Sequence, residues 1–183
     1  MWWRRAAVQG DANAQFALGH ALVMGEGVGL DKAKAAVWHR RSAMQGNAEA
    51  QFQLGLQLMN GNGVARNSTE AVSWWRSSAA QGDALAQYNL GLAFILGDGV
   101  AVDKVEGAIW VKRAADQGCK PAVASLAVSA AVTGGKGSDH RAASKALKSV
   151  MKYGGEFAAC RRAGCNGRVA AHAQLRRVRR TRQ

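Results

Sequence analysis

The side chains with the widest chemical reach crowd the last third of the chain. Cys160 and Cys165, with His172 further on, are donors of the kind zinc accepts. One cysteine pair and one histidine nevertheless fall short of the four ligands of a closed zinc site. Gly134-Gly135-Lys136-Gly137-Ser138 has the flavour of a phosphate-binding loop but lacks the glycine-to-lysine spacing that cradles a nucleotide, and reads as a loosened turn. The four histidines, His20, His39, His140 and His172, show no i, i+4 pairing with one another, and most of them read as surface residues. No Ser-His-Asp order and no paired carboxylates suited to a cleft emerge. The expectation is a protein without catalytic residues, metal or cofactor.

Six arginines near the end, Arg168, Arg176, Arg177, Arg179, Arg180 and Arg182, are the strongest electrostatic feature. Of the formal net charge of +13, residues 1–135 contribute +2 (12 Lys+Arg against 10 Asp+Glu) and residues 136–183 contribute +11 (13 against 2). Val169, His172, Leu175 and Val178 would form a thin apolar strip if this segment is helical. Phosphate contacts on nucleic acid, attraction to an anionic membrane surface and an acidic protein partner all fit such a tail. The absence of Phe, Tyr and Trp after Phe157 limits any nucleic-acid binding to sequence-indifferent phosphate contact.

Composition bounds the rest. Leu90 to Leu96, among the longest apolar stretches, is interrupted by glycine and stays far below the ~18 to 20 residues of a membrane span. Met1-Trp2-Trp3-Arg4-Arg5-Ala6-Ala7 lacks the apolar run of a secretory signal. Three cysteines are too few to staple the chain, so a reducing, cytoplasmic setting is expected. A periplasmic or secreted one stays open if a segment precedes Met1.

The elements that must position any site follow from a period of 36 residues with no gap. Ala12-Asn13-Ala14-Gln15-Phe16-Ala17-Leu18-Gly19 matches the stretches Ala48 to Gly55 and Ala84 to Gly91. The same step relates Gly25, Gly61 and Gly97, then Gly27, Gly63 and Gly99, then Val28, Val64 and Val100, and finally Gln45-Gly46, Gln81-Gly82 and Gln117-Gly118. Each unit reads as two helices. Asp11, Asn47 and Asp83 stand as N-caps of the first helix, Asp31, Asn67 and Asp103 as N-caps of the second. Glu70 and Glu106 are placed to complete capping boxes, and the glycines stop the helices. Trp2, Trp38, Trp74 and Trp110 recur at the same step and are assigned to the repeat core, with Trp3 and Trp75 flanking it. The division is then 1–11, the second helix of a truncated repeat; 12–47, 48–83 and 84–119, three repeats; 120–155, a degenerate capping repeat; and 156–183, the basic tail.

The motif Ala-x-Ala-Gln-x-x-Leu-Gly at Ala12, Ala48 and Ala84, followed by Gly-x-Gly-Val, a central Trp and a closing Gln-Gly, resembles Sel1-like repeats, 36-residue relatives of the tetratricopeptide repeat. The resemblance covers about residues 2–118 well and 119–155 weakly. It implies an all-α fold, an α-solenoid of antiparallel helix pairs, and a bacterial adaptor or scaffold that gathers protein partners. The paired cysteines of the secreted, cysteine-rich members are missing here. Within the first helix, three positions vary between copies: Asn13, Glu49 and Leu85; Ala17, Gln53 and Asn89; and His20, Leu56 and Leu92. Steps of four and three put them on one stripe, which is the candidate groove.

Overall fold

The computed structural model describes residues 2–133, with side chains described for residues 4–126. The second half of the fourth unit and the basic tail lie outside the described residues, as do the side chains of Trp2 and Trp3. Among the described residues there are eight helices and no strand: α1 (Trp2–Val8), α2 (Ala12–Met24), α3 (Lys32–Met44), α4 (Ala48–Asn60), α5 (Ser68–Ala80), α6 (Ala84–Leu96), α7 (Lys104–Asp116) and α8 (Lys120–Thr133). Helices α2, α4 and α6 open the three units, and α3, α5 and α7 close them. Among the described residues each closing helix packs on its own opening helix and on the next one, so the main contacts run between neighbouring units. The chain is an α-solenoid of antiparallel helix pairs.

The helix boundaries follow the local chemistry. Asp11, Asn47 and Asp83 accept the backbone N–H of Ala14, Ala50 and Ala86. Asp31, Asn67 and Asp103 do the same for Lys34, Glu70 and Glu106, satisfying donors that would otherwise be orphaned in the first turn. The backbone N–H and the ammonium group of Lys34 lower the Asp31 pKa. Gly25, Gly61 and Gly97 close the opening helices in left-handed conformation. The capping boxes do not form. The backbone N–H groups of Asn67 and Asp103 are already bonded to Leu58 O and Phe94 O. Glu70 and Glu106 turn instead to the indole N–H groups of Trp74 and Trp110, at 3.2 and 2.7 Å.

Units are joined by a repeated polar ladder. Nε2 of Gln15, Gln51 and Gln87 donates to the carbonyl of Ala7, Ala43 and Ala79 on the preceding closing helix, at 3.1 to 3.2 Å. Oε1 of the same three glutamines accepts from Gln45, Gln81 and Gln117 of their own unit, at 2.7 to 2.8 Å. Ser42 and Ser78 hydroxyls add bonds to Ala12 O and Ala48 O. The two glutamines of the sequence motif are thus halves of one bridge. Gln51→Leu removes one of the two bonds to Ala43 O, which keeps the Gly46 N–H, and takes the acceptor from the Gln81 amide; it is expected to cost about 1 to 3 kcal/mol, read as a lower urea midpoint with an unchanged m-value.

The tryptophan assignment is corrected by the packing. Trp38, Trp74 and Trp110 are only half-buried. They wedge against clusters that include Ala7 and Leu18, Ala43 and Leu54, and Phe52 and Leu90, respectively. Their outer faces and ring N–H groups meet polar partners: Arg41 stacks over Trp38 at 4.7 Å and Arg113 over Trp110 at 4.6 Å. The fully buried site is the next residue, His39, Trp75 and Val111 in the three units, because one step turns a helix by about 100°, from the seam between closing helices onto the opening helix. Trp75, taken above as flanking, is a core residue.

Candidate functional site

The stripe of varying residues lies along the opening helices, but neighbouring units cover part of it. Asn13 and Ala17 of α2 are exposed; His20, Glu49, Leu56, Leu85 and Leu92 are half-buried. Gln53 and Asn89 are buried. The position of Ala17 becomes covered in α4 and α6 because each has an opening helix on its N-terminal side. A direct side-chain contact between opening helices is the Asn47 Nδ2–H bond to Asn13 Oδ1 at 3.0 Å. Asn89 satisfies its own amide on Leu85 O. The surface still open on this stripe is therefore Asn13, Ala17 and the outer parts of His20, Glu49, Leu56, Leu85 and Leu92. Arg168, Arg176, Arg177, Arg179, Arg180 and Arg182, together with Cys160, Cys165, His140 and His172, lie outside the described residues.

Two histidines that are well separated in sequence both lie beside Phe16, and neither is the open surface residue expected of most histidines in this chain. His39 of α3 is 2% exposed. Its ring sits 5.7 Å from that of Phe16, and the ring of His20 is 6.3 Å from Phe16. His39 Nδ1 is 3.0 Å from Gln57 Oε1 of α4. His39 Nε2, His20 Nε2 and Gln53 Nε2 are buried with no hydrogen-bond partner. Burial lowers the His39 pKa to about 4; the bond to Gln57 opposes this and the neighbouring His20 reinforces it. Burial also lowers the His20 pKa, against the pull of Glu26 and Glu49. The signal was present in the repeat itself: the 36-residue step aligns His39 with Trp75 and Val111, a core position.

Ionic contacts on the outer layer are modest. Arg40 binds Glu70 at 2.6 Å across consecutive units and lowers the Glu70 pKa. Arg66 reaches Asp98 at 3.4 Å. Cys119 is a buried free thiol whose pKa burial raises, which keeps it protonated and unreactive. Among the described residues no group of three or more His, Cys, Asp or Glu is arranged to hold a metal ion, and no helix is long and apolar enough to cross a membrane.

Comparison with known proteins agrees with the repeat architecture. The Sel1 repeat family pattern matches residues 12–47, 48–83 and 84–119. A comparison with curated proteins returned no match. Among solved structures, the chain is similar to a protective antigen present in uropathogenic Escherichia coli strains and displaying an SLR fold. That similarity has a TM-score of 0.70 and 34% identity, covering 84% of this chain and 33% of the other. It is also similar to a Sel1 repeat protein from Oxalobacter formigenes, with a TM-score of 0.63 and 35% identity, over 68% of this chain and 93% of the other. The chain spans about a third of the length of the first of these. Family members generally act as protein-interaction scaffolds and are typically non-catalytic. With its three matched units filling more than half of its length, the chain belongs to the Sel1 repeat family.

Proposed function

We propose that this protein is a non-catalytic scaffold that binds another protein along the stripe formed by the opening helices. One observation carries the reading: the repeated framework is fixed by the glutamine ladder and the caps, while the outer parts of His20, Leu56 and Leu92, and of Asn13, Glu49 and Leu85, differ from unit to unit on the same face. Stacked units present such a face as an extended surface, which suits an extended partner better than a small molecule. Its mixed apolar and polar character supports recognition of a protein segment. The setting proposed for this activity is the cytoplasm.

The test compares proteins captured by the wild-type chain, by a stripe variant (Ala17→Arg with Glu49→Lys) and by an outer-face variant (Thr69→Lys with Ser73→Lys). Both pairs are expected to keep the helical circular dichroism signal. Loss of a captured protein in the stripe variant alone is the expected result, and loss in the outer-face variant alone overturns the proposal. The +11 charge of residues 136–183 supports a second reading, sequence-independent phosphate binding by the arginine tail. In that reading the salt dependence of DNA or RNA binding is steeper for the full chain than for one ending at Gly155. Equal slopes dismiss it.

A further inference from the structure

A buried ionisable ring occupies only one of the three equivalent core positions. Thirty-six residues on from His39 stands Trp75, and a further step gives Val111. Trp75 donates its ring N–H to Phe52 O at 3.3 Å, and Val111 has nothing to satisfy. His39 does not reproduce the tryptophan bond. It reaches across to α4 through Nδ1, and with Gln57 Oε1 as the acceptor its proton sits on Nδ1 and its Nε2 is a bare lone pair. That nitrogen lies flat over α2: a Cβ built on Gly19 would come within 2.7 Å of it and within 2.5 Å of Cδ2. The ring is thus locked between α2 and α4, with no acceptor for a second proton. Nor does the site open to a ligand, since Nε2 is sealed from solvent.

We propose that His39 makes the joint where α3 meets α2 acid-labile, so that its protonation parts α3 from α2 and opens the first repeat while the second and third repeats stay closed. The added proton needs an acceptor on the α2 side, where the ring lies over Gly19 and beside Phe16 and Nε2 has no hydrogen-bond partner. The charged groups around this joint do not compensate. From α2 comes His20, itself cationic once protonated. Glu26, just beyond α2, and Glu49 of α4 favour the charged form of His20. Between α3 and α5, Arg40 and Glu70 are engaged with each other. Acid therefore brings two positive charges towards one packed seam, and among the described residues no other seam carries its equivalent.

The sign follows from the two states. The unfolded or parted chain takes up the proton near pH 6.5 and the closed joint only near pH 4. Closure is fully stable above about pH 6.5, weakens as the pH falls through that window and changes little below it. Hydrogen exchange of the full chain, corrected for intrinsic rates, tests this at about pH 7 and pH 4.5. Protection of amides in 12–47 is expected to fall by about 50-fold more than that of amides in 84–116, the ratio set by those two midpoints. His39→Val and His39→Trp, which install the residues of the other repeats, are expected to abolish the excess. An equal fall in both segments, or an excess that survives in these variants or that vanishes only with His20→Leu, overturns the proposal. If neither His39 variant folds at neutral pH, the ring's own titration by NMR decides: a midpoint below about pH 5 supports the joint, and one near 6.5 sinks it.

Discussion

Trp75→Ala is expected to lower the unfolding free energy by about 3 to 5 kcal/mol, the range for deleting a buried large aromatic. Trp75 is 4% exposed and sits in one cluster with Phe52, Val72, Ala79 and Leu90, so it ties α5 to both α4 and α6. Its ring lies so close over Gly55 that a Cβ there would overlap the indole nitrogen, and its N–H bond to Phe52 O is lost with it. The neighbouring Trp74→Ala is the informative control. Half of that ring faces solvent and the Glu70 carboxylate, so its loss is expected to cost about 1 to 2 kcal/mol. Urea or thermal unfolding of the two variants checks the order. A larger loss for Trp74 would return the core to the position that recurs most strictly in sequence.

The second large effect comes from a residue with no side chain. Gly63 takes φ +79°, and a Cβ on it would run into the carbonyl of Lys32 and approach Ala33 N at 2.9 Å. It is the point where the turn inside one repeat lies directly against the first turn of the previous closing helix, backbone to backbone. Gly63→Ala combines left-handed strain of about 1 to 2 kcal/mol with overpacking of about 1 to 3 kcal/mol, because the obstructing atoms are main chain and cannot swing aside. Gly82 separates the terms: its φ is +91° but nothing lies within 4 Å of the added Cβ. Gly82→Ala should therefore show the strain alone. Equal losses in the two variants would mean that the close approach at Gly63 relaxes at no cost.

Much of this architecture was legible from one sequence because a 36-residue repeat supplies its own alignment. Recurrence located the caps and stops, and with the family resemblance it indicated an α-solenoid. It misled where it was trusted for burial. Trp38, Trp74 and Trp110 recur because a wide ring must fill the seam between closing helices, yet that seam has an outer rim. The residue after each varies among His, Trp and Val because the core position needs only some bulk that fits over a glycine. Recurrence of type therefore reported shape at a seam, and variation concealed the deeper site. The proposed stripe was similarly half-legible: its register on the helix is local and follows from spacing, whereas the burial of Gln53 and Asn89 depends on how closely neighbouring units approach. The capping boxes failed for a tertiary reason too, since the amides they would have served were already bonded to the preceding helix.

The glutamine ladder has a direction. Each of the three matched units supplies the donor at its front, through Gln15, Gln51 or Gln87, and the unit before it offers the acceptor at its back, an alanine carbonyl near the end of the closing helix with room for a second hydrogen bond beside its glycine N–H. A 36-residue segment duplicated in register therefore arrives with a matching plug and socket, and neither old neighbour has to change a residue to receive it. Such a chain can lengthen or shorten by whole units through a single recombination event. The number of repeats is then a quantity that heredity can adjust as readily as the side chains along the stripe.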